Sequence, residues 1–156
     1  MITREPIYAA LFAKINALVG SPVSSNQPFV SASRRLQSVT KVQPERQPAI
    51  FQVQSRETPT QIKKGFPTRW NLKPELWVFI WQPDATSAVS PIINPIIDAI
   101  EKAFSPDNQM QQDCTLGGLV SHCRIEGRDI EIYEGVTTGS TGYQSVVIIP
   151  IDIMTA

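Results

Sequence analysis

The single histidine of this 156-residue chain is followed directly by one of its two cysteines, as His122-Cys123. An imidazole beside a thiol is the residue combination of cysteine hydrolases, in which the histidine takes a proton from the nucleophile. The glycine pair Gly117-Gly118 precedes them and predicts a turn that leads into a strand. Because adjacent strand residues point to opposite faces of a sheet, the two side chains cannot share a proton. We therefore expect structural roles for both and no catalytic residue.

Metal binding is the second chemistry open to these residue types. Cys114 could approach His122, although nothing in the sequence requires it. One histidine does not complete the four-ligand set of a structural zinc site without carboxylates, and no spacing in the sequence argues for them. A disulfide between Cys114 and Cys123 stays open, but a reduced pair in the cytoplasm is favoured. We expect neither a metal nor a cofactor.

A group of acidic side chains follows this segment around the turn at Gly127-Arg128. Its members are Glu126, Asp129, Glu131 and Glu134. Asp129 and Glu131 share one face, and Arg124 and Arg128 are available to neutralise these two. Acid–base catalysis would require a concave apolar pocket around these groups. The favoured interpretation is a solvated strand face whose ion pairs are each worth under about 1 kcal/mol. The competing hypothesis is a small cytoplasmic α+β enzyme or ligand-binding domain with a pocket near His122 and Glu126–Glu134.

The glycine-containing stretch 137–142 invites comparison with phosphate-binding loops. It lacks the lysine and the following helix of a P-loop, and it lies between two predicted strands. We interpret 137–143 as the tip of a β-hairpin.

Basic residues are concentrated in two places, although fourteen basic residues balance fourteen acidic ones over the whole chain. This balance gives no overall field that would recruit nucleic acid or a membrane surface. Few aromatic side chains lie near these basic residues, whereas nucleic-acid binding by base stacking would require more of them. We interpret the basic groups as surface charge or subunit contacts. The predicted interface residues are Arg34, Arg35, Arg56, Lys63, Lys64, Phe66, Arg69, Trp70 and Tyr143.

Two helices are predicted to support these residues. In the first, Thr3 is the expected cap, Pro6 lies in the first turn, and apolar residues recur at helical spacing until Gly20. In the second, Asn94 is the expected cap and Pro95 the first helical residue, ahead of an isoleucine stripe that ends near Phe104.

The remaining chain is predicted to form strands. Alternation of apolar and polar residues is clearest at 49–54, and the polar stretch 56–68 is predicted to be a long loop. A long strand follows, with a bulge or an edge position at Pro74. The other predicted strands are 29–36, 39–42, 119–135 and 143–154.

Together these elements predict one domain over residues 1–156 of the α+β class, with a mainly antiparallel or mixed sheet packed by two helices. Their order is helix, strands, helix and two strands. The long strand is apolar on both faces, with Trp77, Phe79 and Trp81 on one of them. A small two-layer fold does not cover that much apolar area, which suggests burial in an oligomer. No signal-peptide pattern and no run of eighteen apolar residues is present, so we expect a soluble protein made in the cytoplasm.

The chain as a whole resembles the tail terminator, or tail completion, proteins of long-tailed bacteriophages, a family that includes the minor tail protein U of lambda-like phages. The resemblance extends over roughly residues 4 to 153. It rests on the segments Ser33-Arg34-Arg35-Leu36, Gln47-Pro48-Ala49-Ile50-Phe51, Glu75-Leu76-Trp77-Val78-Phe79-Ile80, Asn94-Pro95-Ile96-Ile97-Asp98-Ala99-Ile100 and Thr115 to Gly127.

The resemblance implies a structural virion protein of the tail and neck. Such proteins form a six-membered ring on the finished tail tube, which stops tube growth and provides the surface for head joining. The implied partners are further copies of the chain, the tail tube protein and the head–tail connector, with DNA passing through the lumen without specific binding. The family has no active site, so no catalytic role is inherited. Another neck or tube component is the alternative within the virion.

Overall fold

The structure is a computed structural model that describes residues 2–61, 63–84, 86–106, 113–136 and 143–156, without the side chains of Val136 and Tyr143. Its class is α+β, as predicted, with two helices and a six-stranded mixed sheet. Within these residues, no helix has both the length and the apolar character needed to cross a bilayer. The elements are α1 Arg4–Asn16, β1 Ser31–Ser33, β2 Ala49–Thr60, β3 Arg69–Gln82, α2 Ser90–Ala103, β4 Val120–Ile125, β5 Glu131–Val136 and β6 Tyr143–Thr155.

The sheet is organised around its last strand. Its order is β1-β2-β3-β6-β4, and β5 also pairs with β6. β4 pairs with the second half of β6 and β5 with the first half, so both lie along one edge of that strand. Only β1 and β2 pair in parallel among the described ladders. This arrangement places β3 in the centre of the sheet.

Both helices pack against the same face of the sheet, which we call the covered face. The apolar stripes of the helices meet strand residues that alternate toward them, and the resulting cluster is the main core. Its fully buried members with less than 2% exposure include Leu11, Ile15, Ile93, Ile100, Leu76, Ile80, Ile149 and Ile151. This packing explains why the period-two pattern of β3 and the helical stripes were visible in the sequence.

No helix packs against the opposite face in the part of the chain that the structure describes, and we call it the open face. Phe51, Phe79 and Val146 lie there with Trp77 and Ile148, and the segment around Val39 and Val42 packs over part of them. The expectation that both faces of the central strand are apolar is confirmed. Within the described chain, the open face is covered by a short irregular segment and not by a complete layer of helices or strands.

Both helices differ from prediction at an end. α2 begins at Ser90, four residues before the expected cap, with Pro91 in its first turn and Pro95 inside the helix. Pro95 is the sixth residue of α2 and has no N–H, so the helix loses the one hydrogen bond that position 95 would donate to the carbonyl of Pro91. α1 ends at Asn16 rather than near Gly20, because the chain leaves the helix and the N–H of Gly20 bonds to the carbonyl of Phe29.

Three predicted strands also require correction. The stretch 29–36 contributes only Ser31–Ser33, and Val39–Lys41 is a 3-10 turn rather than a strand. A second such turn, Pro44–Arg46, follows at once, since proline supplies no N–H to a ladder. The stretch 119–135 is divided into β4 and β5, with Gly127 at a φ of 100° between them. A left-handed residue interrupts the ladder because it turns the chain out of the extended conformation.

The loop predicted at 56–68 is shorter in the structure. β2 continues to Thr60 and pairs with the first residues of β3, so the described residues of the predicted loop that lie outside strands are 61 and 63–68. Pairing with the long partner strand overrides the polar composition of this part of β2. The register shifts between Val53 and Arg56, opposite Pro74. The predicted irregularity at Pro74 therefore occurs in its partner strand.

Candidate functional site

His122 and Cys123 point to opposite faces of β4, as the sequence predicted. Cys123 is completely buried in the main core, while His122 lies on the open face. The turn before the strand contains Gly117 and Gly118 with φ of 72° and 89°. Both cysteines are reduced thiols. The hydrogen bond with Cys114, together with burial, raises the pKa of the Cys123 thiol far above its ordinary value, which disfavours the nucleophilic thiolate form.

His122 has a carboxylate partner that comes from a different part of the chain. Its Nε2 lies 2.9 Å from Oδ2 of Asp152, which belongs to β6. The side chains of the two residues are 16% and 10% exposed. Glu126 follows β4 and completes a group of three possible ligand atoms that all lie within 4.8 Å of one another. Among the described residues, these three form the one group of histidine, cysteine, aspartate or glutamate side chains close enough together to hold a metal ion.

The two arginines near this group have different partners from those predicted. Arg124 donates from Nε to Glu126 Oε2, and its Nη1 lies 3.4 Å from Asp113. Arg128 Nη2 lies 3.1 Å from Glu75 of β3. The sequence interpretation paired these arginines with Asp129 and Glu131. It was wrong because the break at residues 126–130 directs Arg128 across the sheet and not along its own strand.

The centre of the open face is apolar and aromatic. The rings of Phe51 and Phe79 lie 5.2 Å apart at 50°. Trp77 is half-buried beside them, and its buried indole N–H has no hydrogen-bond partner in the described structure. The edge of this area is closed by Gln47 and Gln144, whose side-chain amides bond reciprocally at 3.0 and 2.7 Å. This pair attaches the segment before β2 to β6.

A hairpin, which we call the arm, is formed by the described residues of 56–70. Its cationic side chains Arg56, Lys63 and Lys64 are exposed, and the side chain of Phe66 is 60% exposed. The ammonium of Lys63 lies 5.9 Å from the centroid of the Phe66 ring. The arm therefore presents positive charge and one aromatic ring to the surroundings.

Arg69 and Trp70, at the base of the arm, are held within the subunit. Arg69 Nε donates to the carbonyl of Thr155 at 3.1 Å, and its Nη2 donates to Ser121 at the same distance. The guanidinium of Arg4 lies 4.5 Å above the Trp70 ring. We interpret these two predicted interface residues as anchors of the arm.

The first turn of α1 connects the two basic regions singled out in the sequence. Glu5 accepts hydrogen bonds from Arg34 at 2.5 and 3.2 Å, while Arg4 contacts the base of the arm. Arg35 is exposed. Of the predicted hairpin tip 137–143, residues 137–142 and the side chain of Tyr143 lie outside the described residues.

The edge of the sheet formed by β5 combines exposed apolar groups with negative charge. Ile132 and Tyr133 are 47% and 48% exposed. Glu131 and Glu134 are exposed on the same strand, and the Tyr133 hydroxyl donates to Glu131 at 3.0 Å. Within the described chain β5 pairs with β6 alone, so its outer backbone groups are available to another strand.

Asp152 is the functional candidate that sequence reasoning missed. It lies between the buried residues Ile151 and Ile153 in a strand that is mostly buried and apolar. A lone carboxylate inside an apolar strand requires a partner, and that requirement was the available signal. The partner could not be identified because His122 is thirty positions away in the sequence.

Comparisons with protein-family models and with curated proteins found no match for this chain.

Proposed function

We propose that this protein is a structural subunit of a bacteriophage tail and neck. In this proposal it caps the completed tail tube as a ring, stops polymerisation of the tube and provides the surface for head joining. The family resemblance implies that the ring is a hexamer. Its partners are further copies of itself, the tail tube protein and the head–tail connector. DNA passes through the lumen without specific binding.

The open face is the observation that carries the proposal. A half-buried tryptophan, Trp77, and the half-buried Ile148 lie on a sheet face that has only a short segment over it in the described chain. Apolar side chains that stay partly exposed at the centre of a sheet are typical of proteins that assemble with partners. Assembly through surfaces, without chemistry, is the function that such an arrangement serves.

A ring subunit also needs two different, complementary patches, because each copy meets one neighbour on each side. The arm is positive at Lys63 and Lys64, and the β5 edge is negative at Glu131 and Glu134. In the sheet order these patches are separated by β6, and they lie toward opposite ends of the strands. The arm of one copy can therefore dock on the β5 edge of the next.

A charge-exchange experiment tests this ring directly. Lys63→Glu/Lys64→Glu gives a negative arm, and Glu131→Lys/Glu134→Lys gives a positive edge. Neither variant should form rings alone, because like charges then face each other at every contact. An equimolar mixture should form alternating rings, since each contact again pairs opposite charges. Sedimentation velocity and negative-stain electron microscopy would measure the assemblies.

The control variant is Lys41→Glu/Lys102→Glu, which reverses two exposed lysines outside both patches. It should assemble like the wild type. If either of the two charge-reversed variants alone formed rings as well as the wild type does, the proposed arm-to-edge contact would be contradicted. If the wild-type protein stayed monomeric at every concentration, also in the presence of tail tubes, the ring proposal would be contradicted.

Deletion of the gene from a phage that carries it separates the terminator role from another neck role. Loss of a terminator should give tails of abnormal length that do not join heads. Tails of normal length without heads would instead assign the protein to head joining alone. Normal virions would contradict both roles.

The contact between His122 and Asp152 favours the competing hypothesis of a small enzyme. Four cavities of about 450, 430, 220 and 440 Å³ occur in the described chain, and neither residue lines any of these four. Glu134 lines the cavity of 220 Å³, but together with Asp84 rather than His122. These four cavities therefore provide no enclosed small-molecule site at His122. A compact monomer that copurifies with a metabolite would revive this hypothesis.

A further inference from the structure

We propose that His122, Asp152 and Glu126 bind one divalent transition-metal ion, with Zn²⁺ as the best-matched ion. The three side chains offer one imidazole nitrogen and two carboxylate oxygens on the open face of the sheet. The site is independent of the ring proposed above, because all three ligands come from one chain.

The strands hold two of the ligands in place. Arg124 of β4 is the register partner of Asp152 of β6, so His122 lies diagonally opposite Asp152 on the same face. Glu126 follows the end of β4, directly before the turn at Gly127. Ligands built on paired strands keep their separation better than ligands on loops. The third ligand, at the start of a turn, retains the freedom to adjust.

The spacing suits a metal with short bonds. Zn²⁺ bonds of about 2.0–2.2 Å place neighbouring ligand atoms of a tetrahedral site about 3.3 Å apart. His122 Nε2 and Asp152 Oδ2 are 2.9 Å apart, and all three ligand atoms lie within 4.8 Å of one another. The Glu126 side chain is 50% exposed, so a small rotation would bring its carboxylate oxygen within bonding distance of the metal ion. Water would supply the fourth ligand.

The charge of Asp152 provides an independent argument. Asp152 is only 7% exposed, and within the described chain the hydrogen-bond partner of its carboxylate is His122. A carboxylate removed from water needs a cation or several hydrogen-bond donors. The nearest strand cation, Arg124, binds Glu126 and Asp113 instead. A metal ion between His122 and Asp152 would supply the missing positive charge.

The donor set selects the metal. One imidazole with two carboxylates suits Zn²⁺ and its first-row neighbours, whereas Mg²⁺ and Ca²⁺ prefer sites built from oxygen alone. Arg124 donates to one oxygen of Glu126, which orients the carboxylate in the manner of the hydrogen-bonded ligands of known metal sites. The absence of a metal-binding pattern in the sequence follows from the position of Asp152 on a distant strand.

Isothermal titration of the metal-stripped full chain with ZnCl₂ tests the site. We expect one Zn²⁺ per chain and a rise in the thermal midpoint with added metal, because the metal binds only the folded state. His122→Gln, Asp152→Asn and Glu126→Gln should each weaken binding by more than about tenfold. Asp113→Asn is the matched control, since it removes a carboxylate that contacts Arg124 but lies outside the ligand group.

Two spectroscopic measurements assign the ligands. Because His122 is the only histidine, its imidazole ¹⁵N signals report directly whether the ring binds the metal. Co²⁺ should give d–d absorption without thiolate charge-transfer bands, since the buried thiol of Cys123 lies on the other face. If Asp152→Asn does not fold, the Zn²⁺ affinity of Glu126→Gln, a substitution at an exposed position, tests the site instead. Absent Zn²⁺ binding, unchanged affinity in His122→Gln, or a thiolate band would each overturn the proposal.

Discussion

The two faces of the sheet differ in how their apolar residues are buried. On the covered face, strand residues such as Leu76 and Ile149 are completely buried beneath two helices. On the open face, their neighbours Trp77 and Ile148 are only half-buried. The same strands supply both sets, so residue type alone does not separate a core from an interaction surface. What separates them is whether another element of the same chain packs on the face.

The open face also contains the polar groups of interest. The His122–Asp152 contact and the reciprocal pair of Gln47 and Gln144 both lie there, whereas helix side chains fill the other side. Polar groups placed between apolar residues make a surface specific, because a partner must match their hydrogen bonds. We infer that stability comes mainly from the covered face and that recognition comes from the open one.

Adjacent isoleucines of β6 provide the sharpest test of this division, and the largest expected effect. Ile149→Ala should lower the free energy of unfolding by about 2–5 kcal/mol, because it leaves a cavity in the main core. Ile148→Ala removes the same atoms from the half-buried face and should cost about 1 kcal/mol or less. Urea denaturation of both variants measures the difference. Equal losses would show that the open face contributes to the core of the isolated subunit.

The glutamine pair tests whether the open face contributes to stability at all. Gln144→Ala leaves the buried amide of Gln47 without its partner and should cost about 1–3 kcal/mol. A double-mutant cycle with Gln47→Ala should give a coupling of about 0.5–3 kcal/mol, since the two amides are in direct contact. The exposed Gln37 is the matched control, and Gln37→Ala should change stability by no more than about 0.5 kcal/mol. Additive losses would contradict a specific pair.

The smallest effect is expected from a carboxylate beside the covered face. Partial burial raises the pKa of Glu57, but hydrogen bonds from Arg4 and Tyr8 outweigh it and hold the pKa below its ordinary value. Because the folded-state pKa is lowered, the stabilisation is present above the unfolded value of about 4.3 and is lost as the pH falls through the folded one.

Unfolding measured from pH 6 to pH 3 tests this contribution, which should be under about 1 kcal/mol because the ion pair is partly exposed. Glu57→Gln should be less stable than the wild type at pH 6, and the difference should shrink toward pH 3. Glu45→Gln, at an exposed position, should follow the wild-type pH dependence. A difference between wild type and Glu57→Gln that is constant with pH would contradict the assignment.

Much of the fold was predictable because its covered face follows regular periods. The isoleucine stripe of α2 and the alternation in β3 both arise from burial on one side, which the sequence records directly. The extension of β2 to Thr60 was not predictable, since those residues are polar and exposed and follow the pairing of β3. The 3-10 turn at Val39–Lys41 was also missed, because two valines at short spacing suit either structure.

The candidate site was less predictable than the fold. The opposite directions of His122 and Cys123 followed from strand geometry alone and are confirmed. The proximity of His122 to Asp152 depends on the register between β4 and β6, which no local pattern specifies. The partners of Arg124 and Arg128 depend in the same way on the break between β4 and β5.

The position of β6 has a consequence for how the protein folds during synthesis. β3, β4 and β5 all pair with this strand, and it extends to Thr155. A nascent chain therefore contains both helices and most strands before the strand that joins them has left the ribosome. Until then β3 exposes an unpaired edge and two apolar faces, which makes the unfinished chain prone to aggregation. Chaperone binding should accordingly be strongest just before the last strand emerges.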